Sequence, residues 1–514
     1  MANSHLEDNK RIAKNTIMLY IRMLFGMLVS FYTSRVVLNT LGVEDFGIQN
    51  VVGGFVSMFS LISMSLSSSV QRFLTFELGK GNFESLKKVF STSVLIHIVL
   101  AIIVVILSES LGVWFVNHKL VIPESRLYAA NWVFQASILS FVFGLLSVPY
   151  NALIVAHERM SAFAYIGVLE ILLKLVIVLF VAYSPFEFDK LIVYSLLLMS
   201  VGLLMRFVYV SYCRRNFSES KVELTFDKSY WKDISAFSVW NAIGCTALLL
   251  KNQGVDILLN MFFGPVVNAA RGIAGTVNGA VASFSGNFMT ALNPQITKSY
   301  AAEDRDYTLS LVERGSRFSF FIMFMLALPI FLEVDFVLTF WLKEYPEHTA
   351  NFVRLILVLS LCDIISNTLI TLQAATGKIR NYQLAVGVLL LMNFPLSYIG
   401  LKIGLQPEIV LIVAIFVSLS CLMLRLLFLR HMASLSIRRF FRNVCLRILL
   451  VVVLSLLLPM IVHQNMEYGF LRFVVVGTIS VLSSGMVILW VGCTEGEREY
   501  INKQVNNQIE RLKK

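Results

Sequence analysis

Charged side chains are scarce in this chain. They make up 15% of its 514 residues against 57% hydrophobic, and a mean hydropathy of +0.75 excludes a water-soluble fold of this length. Cysteine is sparse as well. Cys213, Cys245, Cys362, Cys421, Cys445 and Cys493 form no CxxC pair and have no histidine at ligand spacing, so neither a disulfide framework nor a zinc site is expected, and they read as small packing residues. No P-loop, HExxH or GxSxG motif stands in a plausible context and no carboxylate pair is apparent, so no enzyme chemistry and no cofactor are signalled. No outer connection exceeds about 15 residues, which leaves no external domain on which a polymerase or ligase could display its acid, base or arginine cluster. A cleavable leader is also missing. Lys10, Arg11 and Lys14 precede a long apolar stretch without a small-residue cleavage site, the pattern of a retained first helix.

What the chain does have is apolar length. Crossing a hydrocarbon core of about 30 Å takes about 20 apolar helical residues, and fourteen such runs emerge, from 15–40 and 47–70 through 265–291 to 469–492. The expectation is an all-α integral membrane protein of about fourteen transmembrane helices. With the amino terminus inside, about 29 of the 43 Lys and Arg fall on inner segments and about 5 on outer ones. That places both termini in the cytoplasm, and the net charge of +11 then serves orientation; no basic block with interleaved aromatics stands apart from a span, so nucleic acid is not a partner.

The polar stretch RRNFSESKVELTFDKSYWKD follows six spans and reads as a hinge between two six-helix lobes. The expected organisation is an N-terminal lobe over 1–212, a cytoplasmic connection over 213–233, a second lobe over 234–430, an additional two-helix segment over 431–492 and a cytoplasmic tail over 493–514. Phe46-Gly47 and Phe263-Gly264 open the second and eighth spans six helices apart, a weak echo of the parallel repeats common in transporters.

A charge deep in a span costs a few kcal/mol, about 3 on insertion scales, so each one is a functional candidate unless it snorkels or pairs. Arg22 and Arg271 lie about a turn and a half or more inside their spans, where a guanidinium wants a phosphate or carboxylate. Lys251 adds a third candidate cation. Glu170 and Lys174 sit at i, i+4 on one helix face and read either as a neutralised pair or as a switch in which Lys174 leaves for an anionic substrate. Asp363 is the deepest carboxylate without an evident partner, a candidate site for H⁺ or Na⁺ coupling or the buried partner of an arginine from another helix. Asp256, close to a span end, is weaker. Arg206, Arg354, Arg425 and Arg472 lie nearer span ends and are assigned to snorkelling.

The strings LNTLGVEDFG, RFLTFELGKGN, VPYNALIVAHERM and NQGVDILLNMFFGPVVNAARGIAGTVNGAVASF resemble the polysaccharide-exporter branch of the multidrug/oligosaccharidyl-lipid/polysaccharide (MOP) flippase superfamily. The resemblance implies two six-helix lobes around a central cavity that opens alternately to either side of the cytoplasmic (inner) membrane. It implies a polyprenyl-pyrophosphate-linked oligosaccharide as substrate, with a polysaccharide polymerase and glycosyltransferases of the same pathway as partners. Arg22 in LYIRMLFG and Arg271 in NAARGIAG match cavity arginines of the related lipid II flippase; a further basic residue of that relative, on its second helix, has no counterpart here. The rivals are a multidrug antiporter of the same superfamily and a membrane polymerase or ligase. An excess of intramembrane cations over carboxylates favours an anionic substrate over a cationic drug.

Overall fold

The computed structural model describes residues 2–57, 59–118, 120, 122–183, 188–223 and 227–499. The expected tail 493–514 lies outside them beyond residue 499. Among the described residues the secondary structure is helical with no strand, as the hydrocarbon demands: a backbone that cannot reach water must satisfy its polar groups within each segment. The principal helices are α1 (Ala2–Ser57), α2 (Ser60–Lys80), α3 (Phe83–Leu107), α4 (Leu127–Ala156), α5 (Met160–Tyr183), α6 (Lys190–Asn216), α7 (Lys228–Phe263), α8 (Pro265–Ala301) and α9 (Arg305–Leu332). They continue with α10 (Thr349–Ile365), prolonged by Asn367–Thr376, then α11 (Arg380–Leu391), prolonged by Asn393–Lys402, α12 (Ile409–Met432), α13 (Leu446–Asn465) and α14 (Phe470–Val487).

Twelve helical stretches among the described residues are long and apolar enough to cross a membrane. They account for every expected run except 47–70 and 265–291, which lie in helices diluted by Gly, Ser and Asn. α1 is two helices joined at Gly42, whose φ of 79° and ψ of 170° break the helical path. Gly264, with φ 77°, makes the matching turn between α7 and α8. Both positions need a residue without Cβ. The sequence echo aligned Gly47 with Gly264, but Gly47 is helical and Gly42 holds the turn.

The chain divides into two compact units, Met1–Thr246 with Thr290–Asp304, and Ala247–Met289 with Arg305–Lys514. In the first unit, α4 packs along α6 and α1 along α5, around a core that includes Val52, Val133, Phe134, Ile138 and Leu191. In the second, α10 packs on α12, α9 on α14, and α13 on α14; Tyr382, Val386, Val417 and Cys421 fill one of its cores. Large apolar side chains such as Leu28, Ile106, Phe416, Leu457 and Met486 remain exposed, which suits a surface solvated by lipid.

Ion pairs at the helix ends join like with like. Arg126 reaches Asp45 and Asp189, each at 2.5 Å, and all three belong to turns expected on the outer side. Arg11 and Lys298 reach Glu158 at 2.7 and 2.5 Å, all expected inside. In the second unit Glu333 is fully buried, with His463 at 2.7 Å and Arg472 at 3.0 Å, which ties the two additional helices to the end of α9. Such pairing would fail if one span had been missed or invented.

At the expected inner end of the first unit, Glu219 is buried against His157, whose ring stacks on Phe217 at 4.2 Å. Burial raises the Glu219 carboxyl, but the hydrogen bond from His157 and neighbouring contacts outweigh it and hold the group below its ordinary 4.5. A carboxylate depressed in the native state stabilises it above the unfolded value and loses that contribution as pH falls through the native one. The melting difference between wild type and Glu219→Gln in detergent is therefore expected to be full at neutral pH and to shrink below about pH 4.5. A constant difference across that window would refute it.

Candidate functional site

Four helices of the first unit, α1, α4, α5 and α6, line a shared cavity of about 460 Å³. On α4 the stripe is Ser137, Ser140, Gly144, Ser147 and Asn151; on α6 it is Ser195, Leu198, Gly202, Met205 and Tyr209. Both follow the alternating three- and four-residue spacing of a single helix face. α5 contributes Glu170 and Lys174, and the second half of α1 contributes Gln49 and Val56. Ser195 Oγ lies 3.0 Å from Gln49 Oε1. Lys174 donates to Glu170 at 2.6 Å, so the two opposite charges meet on the cavity wall.

Arg22 stands beside this cavity without lining it. Phe163, Gly167, Glu170 and Lys174 fall on one face of α5, and the Arg22 side chain lies on the first two. Its guanidinium carbon is 4.6 Å from the Phe163 ring centre, a cation–π contact. A Cβ on Gly167 would fall 2.6 Å from that carbon, so the glycine is the seat that admits the arginine. Tyr209 is within electrostatic range of both Glu170 and Arg22. No carboxylate forms an ion pair with Arg22 among the described residues.

Four intramembrane charges of the second unit meet in pairs. Arg271 on α8 pairs with Asp256 on α7, across the Gly264 turn. Lys251 is almost fully buried, its ammonium 3.8 Å from Asp363 on α10, and the other Asp363 oxygen accepts from Ser418 on α12 at 2.5 Å.

Residues 12–304 match the family described as Polysaccharide biosynthesis protein, a stretch that contains the whole cavity of the first unit and both Arg22 and Arg271. The chain belongs to the polysaccharide biosynthesis protein family. It is 21% identical over 309 residues to the uncharacterized membrane protein EpsK of Bacillus subtilis (strain 168), a match that covers 60% of each chain. Among solved structures it resembles a MATE transporter in the bent conformation, with a TM-score of 0.72 at 14% identity over 83% of this chain and 96% of that one. A MOP superfamily transporter from Pyrococcus furiosus, reported with reversed polarity of its binding pocket, aligns with a TM-score of 0.67 at 14% identity, covering 82% and 96%. At these identities the likeness shows the fold alone, and that fold is shared with MATE and other MOP superfamily transporters.

Within this family member, the expected sites sort as follows. Glu170 and Lys174 are the i, i+4 pair that their spacing implied. Asp363, read as lacking a partner, has two: Lys251, itself expected to serve the substrate, and Ser418. The snorkelling assignments need correction. Arg425 is buried and its Nε donates to the Tyr382 hydroxyl at 3.0 Å. Arg472 is bound to Glu333, Arg354 to Asp335 at 2.9 Å. Arg206 donates to the Leu146 carbonyl, one residue from the carbonyl that Pro149 deprives of its helix donor. Burial near a span end lets a cation find a protein partner before it reaches the headgroups. Sequence reasoning passed over Asn151 and Tyr209, although the serine stripe of α4 carries a periodic signal, and it passed over Glu158, whose partners come from α1 and α8.

Proposed function

We propose that this protein moves a polyprenyl-pyrophosphate-linked oligosaccharide from the cytoplasmic to the outer leaflet of the cytoplasmic membrane by alternating access, without covalent chemistry. The observation that carries the reading is Arg22: a guanidinium well inside a span, seated on an α5 glycine, with no ion pair to a carboxylate among the described residues. An ionised side chain at such depth costs about 3 kcal/mol on insertion scales, a cost offset when an anion arrives. A pyrophosphate suits it because arginine grips phosphate oxygens with two parallel donors. In this mechanism Arg22 and Arg271 both serve the pyrophosphate, the lipid tail stays in the bilayer, and Lys174 and Lys251 exchange their carboxylates for the substrate in one state. Asp363, held by Lys251, is the proposed site of H⁺ or Na⁺ coupling. A polymerase and glycosyltransferases consume and supply the glycan.

The test is where lipid-linked repeats accumulate when the gene is deleted. Protection from an impermeant sugar-oxidising label, reversed by the wild-type chain, is expected. Repeats fully exposed on the outer face but unpolymerised would instead indicate a polymerase, and unchanged glycan with hypersensitivity to cationic drugs would indicate multidrug efflux.

A further inference from the structure

A second recess opens at the end of the first unit where α1 begins. It encloses about 600 Å³, and its lining includes Arg11, Lys14, Asn15, Glu158, Arg159 and Tyr212. Its walls come from α1, the α4–α5 turn and α6. Arg11 opens the first apolar span, Met160 opens α5 and Asn216 closes α6, so the recess lies at the boundary where the hydrocarbon meets the headgroups.

Three cations and one carboxylate line it, and the carboxylate is already spent. Glu158 has no exposed side-chain surface and is held by Arg11 at 2.7 Å and Lys298 at 2.5 Å, with Gln295 donating to its second oxygen. Its backbone is left-handed, φ 58°, and its carbonyl accepts from Asn15 Nδ2 at 3.1 Å. The turn that carries Arg159 is thus fixed from inside. Lys14 and Arg159 remain exposed, and neither forms an ion pair among the described residues. Tyr212 is within electrostatic range of Arg159.

We infer that this recess binds the phosphate of a lipid headgroup, with Lys14 and Arg159 as its principal ligands. The charge balance favours an anion, and a guanidinium beside an ammonium matches a phosphate's spread of oxygens. Basic pockets between transmembrane helices at this level hold phosphorylated headgroups. Two sources share that chemistry: the phosphodiester of a bulk anionic phospholipid and the diphosphate of a polyprenyl carrier. The inference uses the membrane placement alone and stands whether or not the chain exports a glycan.

Equilibrium binding to the detergent-solubilised full chain tests it at about 150 mM salt, where the Debye length of about 8 Å suppresses diffuse attraction. Dioleoyl phosphatidylglycerol and undecaprenyl diphosphate are titrated separately by native mass spectrometry. A Lys14→Gln, Arg159→Gln double variant is expected to lose about fivefold or more in affinity for at least one of them, consistent with removal of charge-assisted bonds. Lys221→Gln with Lys228→Gln, which removes the same charge outside the recess, should leave affinity within about twofold. The ligand that weakens identifies the source. Each single variant is measured too, so that a double variant failing to insert leaves the test intact; each should lose about twofold or more. Unchanged affinity for both lipids, or an equal loss in the control pair, overturns the inference.

Discussion

Arg22→Ala is expected to reduce surface-glycan export about tenfold or more while the protein inserts and melts as wild type. Function and stability separate at this residue. A buried arginine that holds a carboxylate leaves that carboxylate stranded when removed, at about 3–5 kcal/mol. Arg22 leaves no such orphan among the described residues; it gives up a cation–π contact with Phe163, about 1–2 kcal/mol when desolvated, and relieves the span of a charge. Loss of an anion's bidentate contact costs about 1.5–3 kcal/mol, a factor of about ten or more in affinity. Arg22→Lys should restore part of the activity, because an ammonium supplies charge without the fork. Gly167→Val provides an independent route to the same defect: even a methyl there would sit 2.6 Å from the guanidinium carbon, so the arginine must leave its seat although its own codon is intact. Arg271→Ala makes a less discriminating variant, since it strands Asp256; pairing it with Asp256→Asn removes the stranded charge and isolates the functional term. Normal export from a stably inserted Arg22→Ala protein would defeat the proposed role.

Much of the architecture was legible because a bilayer imposes a coarse rule. Runs such as those that form α12 and α13 need only length and hydropathy to be found, and lysine and arginine asymmetry sorts their connections. α2 and α8 are harder, because Gly, Ser and Asn lower their hydropathy, and the glycines of α8 stand exposed; the charge and Gly that bound the runs still mark them. The turn itself was misread at one place. Phe-Gly is a visible word, but what the outer turn needs is a positive φ, and Gly42 supplies it five residues earlier than Gly47. Charges followed the same division. Glu170 and Lys174 meet on one helix by local spacing, so sequence suffices. Lys251 and Asp363 meet across α7 and α10, and Arg472 meets Glu333 from a different helix again; no local pattern encodes such contacts. The cavity of the first unit lies between these extremes, since its serine stripe on α4 is periodic while its partners on α5 and α6 are known only once the helices pack.

Glu158→Ala is expected to destabilise the first unit by about 3 kcal/mol, toward the low end for a broken buried ion pair because the Arg11 side chain is nearly half exposed and can recover solvation. The carboxylate itself is fully buried and gathers α1 through Arg11 and α8 through Lys298 and Gln295. Its removal releases all three donors at once, and Lys298, less exposed than Arg11, bears most of the penalty. The backbone bears on a different substitution. Glu158 occupies the left-handed region at φ 58°, which costs any residue with a Cβ about 1 kcal/mol relative to glycine. The two effects separate experimentally: Glu158→Gly loses the carboxylate but gains backbone ease, so it should melt above Glu158→Ala, while Glu158→Gln keeps the shape, loses the charge and should fall between Glu158→Ala and wild type. In detergent the alanine variant is expected to aggregate at a temperature lower by roughly 5–10 °C. An unchanged midpoint for Glu158→Ala would mean that Arg11, Gln295 and Lys298 find other acceptors, and that the packing of α1 and α8 onto the α4–α5 turn, carried by buried residues such as Leu19, Val155, Met160 and Ala291, holds this end of the unit without the ionic contribution.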